Sequence, residues 1–119
     1  MPSTISYKRG DVVLVPFPFT DLTSIKQRPA LVISSDPLNQ SRPDILVAAI
    51  TSQIPAQLGE DEILISSNET AQWGLPKPSV IRLTKLFSIH QQLIRKSLGH
   101  APDASLETIL RRLQKQFEV

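Results

Sequence analysis

Two short stretches hold residue types that could do chemistry on a phosphodiester. In KQRPALVISS (26–35), Arg28 stands before a proline and an almost unbroken apolar run, and in DILVAAITS (44–52) a similar run ends in the hydroxyl pair Thr51-Ser52. Pro29 restricts Arg28 to extended backbone, and a guanidinium held there is always charged and offers a planar donor fork suited to phosphate oxygens. The hydroxyls are poor bases at neutral pH, yet they can hydrogen-bond a phosphate oxygen. Two neighbouring strands that finish at the same end would join these groups in a polar rim pocket. The plainer readings are an arginine solvated or paired at the surface, and a threonine bonded to nearby backbone at a strand end.

The elements that must position these residues are short and rich in Val and Ile. DVVLVPFPFT (11–20), ALVISS (30–35), DILVAAITS (44–52), DEILIS (61–66) and SVIRLTKLF (79–87) read as strands, with Arg28 at the mouth of the second. Breakers separate them: Asp21 to Ser24, Asp36-Pro37, Arg42-Pro43-Asp44, Gly59, and Gly74 with Pro76 and Pro78. Turn-bounded strands at this spacing predict a small barrel or sandwich. Pro16 and Pro18 lack an N–H on one lateral side of the first strand, so that side is expected to be an edge, a bulge or an exit. Phe17 and Phe19 would then lie near an irregular rim, either as core or as a platform for a base.

Leu106, Ile109, Leu110, Leu113 and Phe117 recur at three- and four-residue steps with charged residues between them, which predicts an amphipathic C-terminal helix capped by Asp103 or Ser105. A shorter helix is expected over NETAQW (68–73), capped by Asn68 and stopped at Gly74. Repeats and long linkers are lacking, so one domain over 1–119 is expected, burying roughly two-thirds of its unfolded surface.

Composition narrows the chemistry. The 119 residues contain no cysteine and two histidines, His90 and His100, and the acids lack ligand spacing, so neither a thiolate site nor a bound metal or other cofactor is expected. The formal charge of +2, from 13 basic and 11 acidic residues, permits polyanion binding without a basic tail. No stretch reaches the roughly 20 apolar residues of a membrane span, and the N-terminus lacks a signal-peptide core, so a cytoplasmic protein with no membrane partner is expected. A two-histidine ribonuclease would need a supporting motif around His90 and His100. Trp73 could stack a base or anchor packing. Lys8, Arg9, Lys26, Arg95 and Lys96 could line a path for a polyanion or form a solvated face.

The ordered set Gly10-Asp11-Val12-Val13-Leu14-Val15, Phe17-Pro18-Phe19, Gln27-Arg28-Pro29-Ala30-Leu31-Val32-Ile33, Ile50-Thr51-Ser52 and Gly74-Leu75-Pro76-Lys77-Pro78-Ser79-Val80 resembles the MazF/PemK toxin family from about Lys8 to the C-terminal helix. The resemblance implies a mainly β fold with a few helices, an SH3-like small barrel of the MazF/PemK/CcdB type. It also implies the toxin of a type II toxin–antitoxin pair, an mRNA interferase-like homodimer that cuts single-stranded RNA at short preferred sequences without a metal. The ends left would be a 2′,3′-cyclic phosphate and a 5′-hydroxyl. The expected partner is a cognate antitoxin with an acidic flexible tail, and the complex would contact DNA mainly through that antitoxin.

By the same resemblance the catalytic arginine falls on Arg28, the catalytic threonine on Thr51, and a second arginine used in some members on Arg82. Residues expected to touch RNA are Phe17, Phe19, Asp21, Lys26, Ser52 and Lys85. In such a reaction the ribose 2′-OH attacks its own phosphate, so a proton must be taken, the charge on the crowded phosphorus stabilised, and the leaving 5′ oxygen assisted. Arg28 suits charge stabilisation. Some members carry an Asp-Gln pair where this chain has Thr84-Lys85, which leaves Asp21, Thr51 or a water as the base. Two rivals are a gyrase poison of the same fold, which depends on a Trp-Gly-Ile C-terminus where this chain ends Gln116-Phe117-Glu118-Val119, and a non-catalytic barrel that binds RNA or a protein.

Overall fold

Strand-forming runs that are apolar on both faces can be buried only if both faces are covered, and the fold does this by curling. The computed structural model describes residues 6–18 and 25–119. Phe19 and Asp21, both expected at the site, lie outside the described residues. Six strands occur in chain order, β1 (Asp11–Pro18), β2 (Ile25–Val32), β3 (Asp44–Thr51), β4 (Glu62–Ile65), β5 (Ser79–His90) and β6 (Lys96–His100). They form one antiparallel sheet in the order β4-β5-β3-β2-β1-β6, curled into a half-barrel. Three helices accompany it, α1 (Asp36–Ser41), α2 (Thr70–Trp73) and α3 (Asp103–Lys115).

Adjacent residues on one strand feed different cores, as the period of two requires. Val12, Leu31, Ala48, Ile81 and Leu83 join Trp73 of α2 and Ile109 of α3 in one cluster. Val13, Val15, Ala30, Val32, Ile45 and Val47 join Ile89 and Ile94 in the other. Burial of each such side chain contributes about 1.5–3 kcal/mol, so the two clusters account for most of what holds the sheet in its curl.

Several local expectations change in the folded chain. β2 starts at Ile25, so Arg28 lies inside the strand opposite Val15 and not at its mouth. Pairing with β1 carries the strand through the polar residues Lys26 and Gln27. β6 pairs with β1 only from Asp11 to Leu14, which leaves Pro16 and Pro18 in the stretch of β1 that needs no donor on that side. α1 occupies a stretch read as a turn, because Ser35 caps it by accepting from the Leu38 N–H and Pro37 suits its first turn. α3 begins at Asp103 after Pro102 without a side-chain cap, and α2 follows Glu69 and not Asn68.

Gly74 ends α2 in the left-handed conformation, φ 76°, and a Cβ there would stand 1.9 Å from the Leu98 carbonyl oxygen. Gly99 makes the reciprocal approach, since its Cβ would lie 2.5 Å from the Trp73 backbone. The two glycines let α2 and β6 touch through bare backbone, which aims the Leu75-Pro76-Lys77 turn along the sheet. No helix among the described residues is long and apolar enough to cross a membrane.

Candidate active site

Pairing between β2 and β3 runs from Val32↔Val47 to Ala30↔Ala49 and stops there. Pro29, which has no N–H to donate, stands at the break, while β2 continues against β1 as far as Ile25. The strands therefore part beside Arg28 on one side and Thr51 on the other. Into this opening fits a cleft of about 300 Å³ lined by Phe17, Arg28, Ala49, Ile50, Thr51, Ser52, Gln53, Arg82 and Lys85. Three groups from distant parts of the sequence, the Arg28 guanidinium, the Thr51-Ser52 hydroxyls and the cations of β5, thus share one space.

The contribution of β5 depends on an irregularity that the local sequence pattern does not reveal. Ala48 pairs with Leu86 but Ala49 pairs with Arg82, so Leu83, Thr84 and Lys85 are extra residues on β5. In a regular strand, residues three apart point to opposite faces, and Arg82 and Lys85 could not meet. The bulge turns both into the cleft. Asp61 anchors it, accepting from the Leu83 N–H at 2.7 Å through its carbonyl and from the Thr84 hydroxyl at 2.6 Å through its carboxylate. Thr84 thus holds an acid supplied by the loop before β4.

Arg82 has a carboxylate at its back. Glu62 Oε2 lies 3.6 Å from Arg82 Nε, an ion-pair contact longer than a hydrogen bond, and Nε has no hydrogen-bond partner. The Glu62 side chain is 14% exposed against 40% for Arg82, so the carboxylate sits inward and the guanidinium faces outward. Glu62 Oε1 accepts from the Gly59 N–H at 2.8 Å, which ties the loop after β3 to the same group. The Arg112 guanidinium of α3 approaches the Glu62 carbonyl at 3.5 Å.

The hydroxyl of Thr51 has one lone pair in use, because Oγ1 accepts from the Gln53 N–H at 3.1 Å. This is the strand-end backbone bond expected of such a threonine, and it leaves the hydroxyl proton to donate into the cleft. Phe17 lines the cleft beside Lys85 and meets Phe87 with ring centroids 5.0 Å apart and planes at 51°. Lys26 is exposed opposite Phe17 and does not line the cleft. Among the described lining residues there are three cations and no carboxylate, an arrangement that can bind a phosphodiester and stabilise added charge on it.

Other candidates fall elsewhere. His90 Nδ1 accepts from the Gln92 N–H at 3.1 Å and caps the 3-10 turn Gln91–Leu93, whereas His100 Nδ1 lies 2.9 Å from Asp11 Oδ1 on β1. The strands that carry the histidines are separated by three others in the sheet, which removes the two-histidine arrangement. Trp73 is 1% exposed in the larger core and serves packing, not base stacking.

The family described as a PemK-like, MazF-like toxin of type II toxin–antitoxin systems matches residues 8–117. A relative named Endoribonuclease EndoA, from Bacillus subtilis, is 31% identical over 113 residues, which cover 90% of this chain and 90% of the relative. A mycobacterial endoribonuclease solved in complex with its cognate antitoxin has a TM-score of 0.74 at 14% identity, covering 92% of this chain and 93% of that one. A MazE–MazF crystal structure from Deinococcus radiodurans gives 0.73 at 18% identity over 94% of this chain and 96% of that chain. The solved structures share the fold, and the sequence match extends over nearly the whole chain. This chain belongs to the PemK-like, MazF-like toxin family of type II toxin–antitoxin systems.

Proposed function

We propose that this protein is the endoribonuclease toxin of a toxin–antitoxin pair, and that it cuts single-stranded RNA in the Arg28 cleft by attack of the ribose 2′-OH on the neighbouring phosphate. The observation that carries the reading is the meeting of Arg28, Thr51, Arg82 and Lys85 around one cleft without a lining carboxylate among the described residues. The endoribonuclease names of the relatives support it.

In this mechanism Arg28 and Arg82 hold the nonbridging oxygens as the phosphorus becomes five-coordinate, and each fork is most favourable when the charge is largest. Thr51 orients the 2′-OH or a phosphate oxygen by donating its free proton. Lys85 adds charge at the mouth. Phe17 offers a face on which a base can stack, worth about 1–3 kcal/mol for a good platform. The reaction proceeds without a metal, with Arg28, Arg82 and Lys85 supplying the positive charge, and attack by the 2′-OH leaves a 2′,3′-cyclic phosphate and a 5′-hydroxyl. The protein acts in the cytoplasm as a single-domain homodimer. An antitoxin with an acidic, apolar, flexible tail covers the basic cleft, and the pair contacts DNA mainly through the antitoxin.

The test is incubation of the purified protein with a long single-stranded RNA, and with DNA of the same sequence, in excess chelator. The expected result is cut RNA, intact DNA and cyclic phosphate ends. Cleavage that vanishes in chelator and returns with one divalent ion, or equal cutting of DNA, contradicts the reading.

A further inference from the structure

Arg28 belongs to two hollows. The second, of about 310 Å³, lies on its other flank and shares Arg28, Ile50 and Ser52 with the first. Its far wall is the Leu75-Pro76-Lys77 turn, with Lys96 from β6 alongside. The turn is held in place, since the Gly74 backbone abuts Leu98, the Leu75 N–H donates to the Thr70 carbonyl at 2.9 Å, and the Ser79 hydroxyl donates to the Lys77 carbonyl at 3.0 Å. The described lining has three cations, Arg28, Lys77 and Lys96, and no acid, over an apolar floor that includes Leu14, Ile50 and Leu98. Cations at a rim over an apolar floor match the parts of a nucleotide, with phosphate outside and base inside.

The chemistry fixes which nucleotide goes where. Thr51 lines only the first hollow, and with its hydroxyl placed on the 2′-OH the attacking nucleoside lies there. The phosphate then sits at Arg28, on the ridge between the two. We propose that the second hollow is the subsite for the nucleotide on the 3′ side of the cut, the one that leaves through its 5′ oxygen, and that Lys77 and Lys96 hold the next phosphate along. The proposal rests on the endoribonuclease reading above. In the step itself the 2′-O–P bond forms as the P–O5′ bond breaks. The 2′-OH proton passes to water and the 5′ oxygen takes a proton from water, so the occupant of this hollow is released as a 5′-hydroxyl product.

The test uses an RNA oligonucleotide carrying a site mapped with the parental protein, and a shortened substrate in which the scissile phosphate carries only a 5′-O-alkyl leaving group. Both are cut by the parental protein and by a Lys77→Ala/Lys96→Ala variant, with salt varied. Both lysines are exposed, so the variant should melt with the parental protein. On the full oligonucleotide the variant is expected to lose about tenfold or more in kcat/KM, with a salt dependence shallower by about 0.7 units for the one single-strand phosphate that the two lysines hold. On the shortened substrate the loss should shrink to about twofold, because the phosphate these lysines hold is missing. Equal losses on both substrates, or no loss on either, overturn the subsite. So does a variant that cuts both normally but binds its antitoxin more weakly, since the hollow would then serve a peptide. A parental protein that cuts no RNA at all removes the endoribonuclease reading, and this proposal with it.

Discussion

Arg28 and Thr51 face one another where β2 and β3 cease to pair. Continuing the register past Ala30↔Ala49 by two residues sets Arg28 opposite Thr51, and both line the same cleft. The relationship comes from a proline that ends a ladder and from two apolar runs that hold the parting strands firm. Both side chains line the cleft that opens where the ladder stops, so the guanidinium and the hydroxyl share one space.

Thr51 should therefore tolerate only substitutions that keep its hydroxyl. Thr51→Ala is expected to slow RNA cleavage by about tenfold or more, the effect of removing one well-placed donor. Thr51→Ser should retain more activity. Single-turnover rates on one RNA check this, and equal rates for the Ala and Ser variants would mean that the hydroxyl only bonds Gln53.

Glu62 should matter only through Arg82. Its carboxylate backs the Nε side of the guanidinium, so Glu62→Gln is expected to slow cleavage by about fivefold or less, in line with a partly exposed ion pair. In an Arg82→Ala background the same change should cost nothing further. Measured rates for the two single variants and the double variant form the cycle. Independent, multiplying losses would show that Glu62 acts on the cleft by another route.

Gly74 should be irreplaceable for stability. Its φ of 76° and the 1.9 Å approach of the Leu98 carbonyl oxygen oppose any Cβ. Gly74→Ala is expected to lower stability by about 2–3 kcal/mol and Tm by roughly 10 °C. A thermal melt followed by circular dichroism tests it, and an unchanged Tm would show that α2 and β6 can separate at little cost.

These predictions divide by how far the sequence alone could reach. The strand runs, Gly74 as a helix stop, and the pairing of Arg28 with Thr51-Ser52 were legible because each follows from local chemistry: apolar runs, a glycine, a proline next to a cation. Arg82 and Lys85 were expected at the site only through the resemblance, and strand period gave no reason for them to meet, because their meeting depends on the β5 bulge, which Asp61 anchors from outside the strand. β6 escaped notice since Lys96-Ser97-Leu98-Gly99-His100 offers little apolar alternation, and as an edge strand it owes its form to pairing with β1. The second hollow escaped for a related reason, as it needs two glycines far apart in sequence to touch backbones.

The most direct test of the central claim is the rate at which an Arg28→Ala variant cuts the RNA that the parental protein cuts, measured beside its melting temperature. The cleft predicts a loss of about a hundredfold or more, equivalent to about 3 kcal/mol of charge stabilisation, with poor rescue by Arg28→Lys and little change in Tm. A folded Arg28→Ala protein that cuts at the parental rate would contradict it, and would leave Arg28 as a surface cation on β2 with no part in the chemistry.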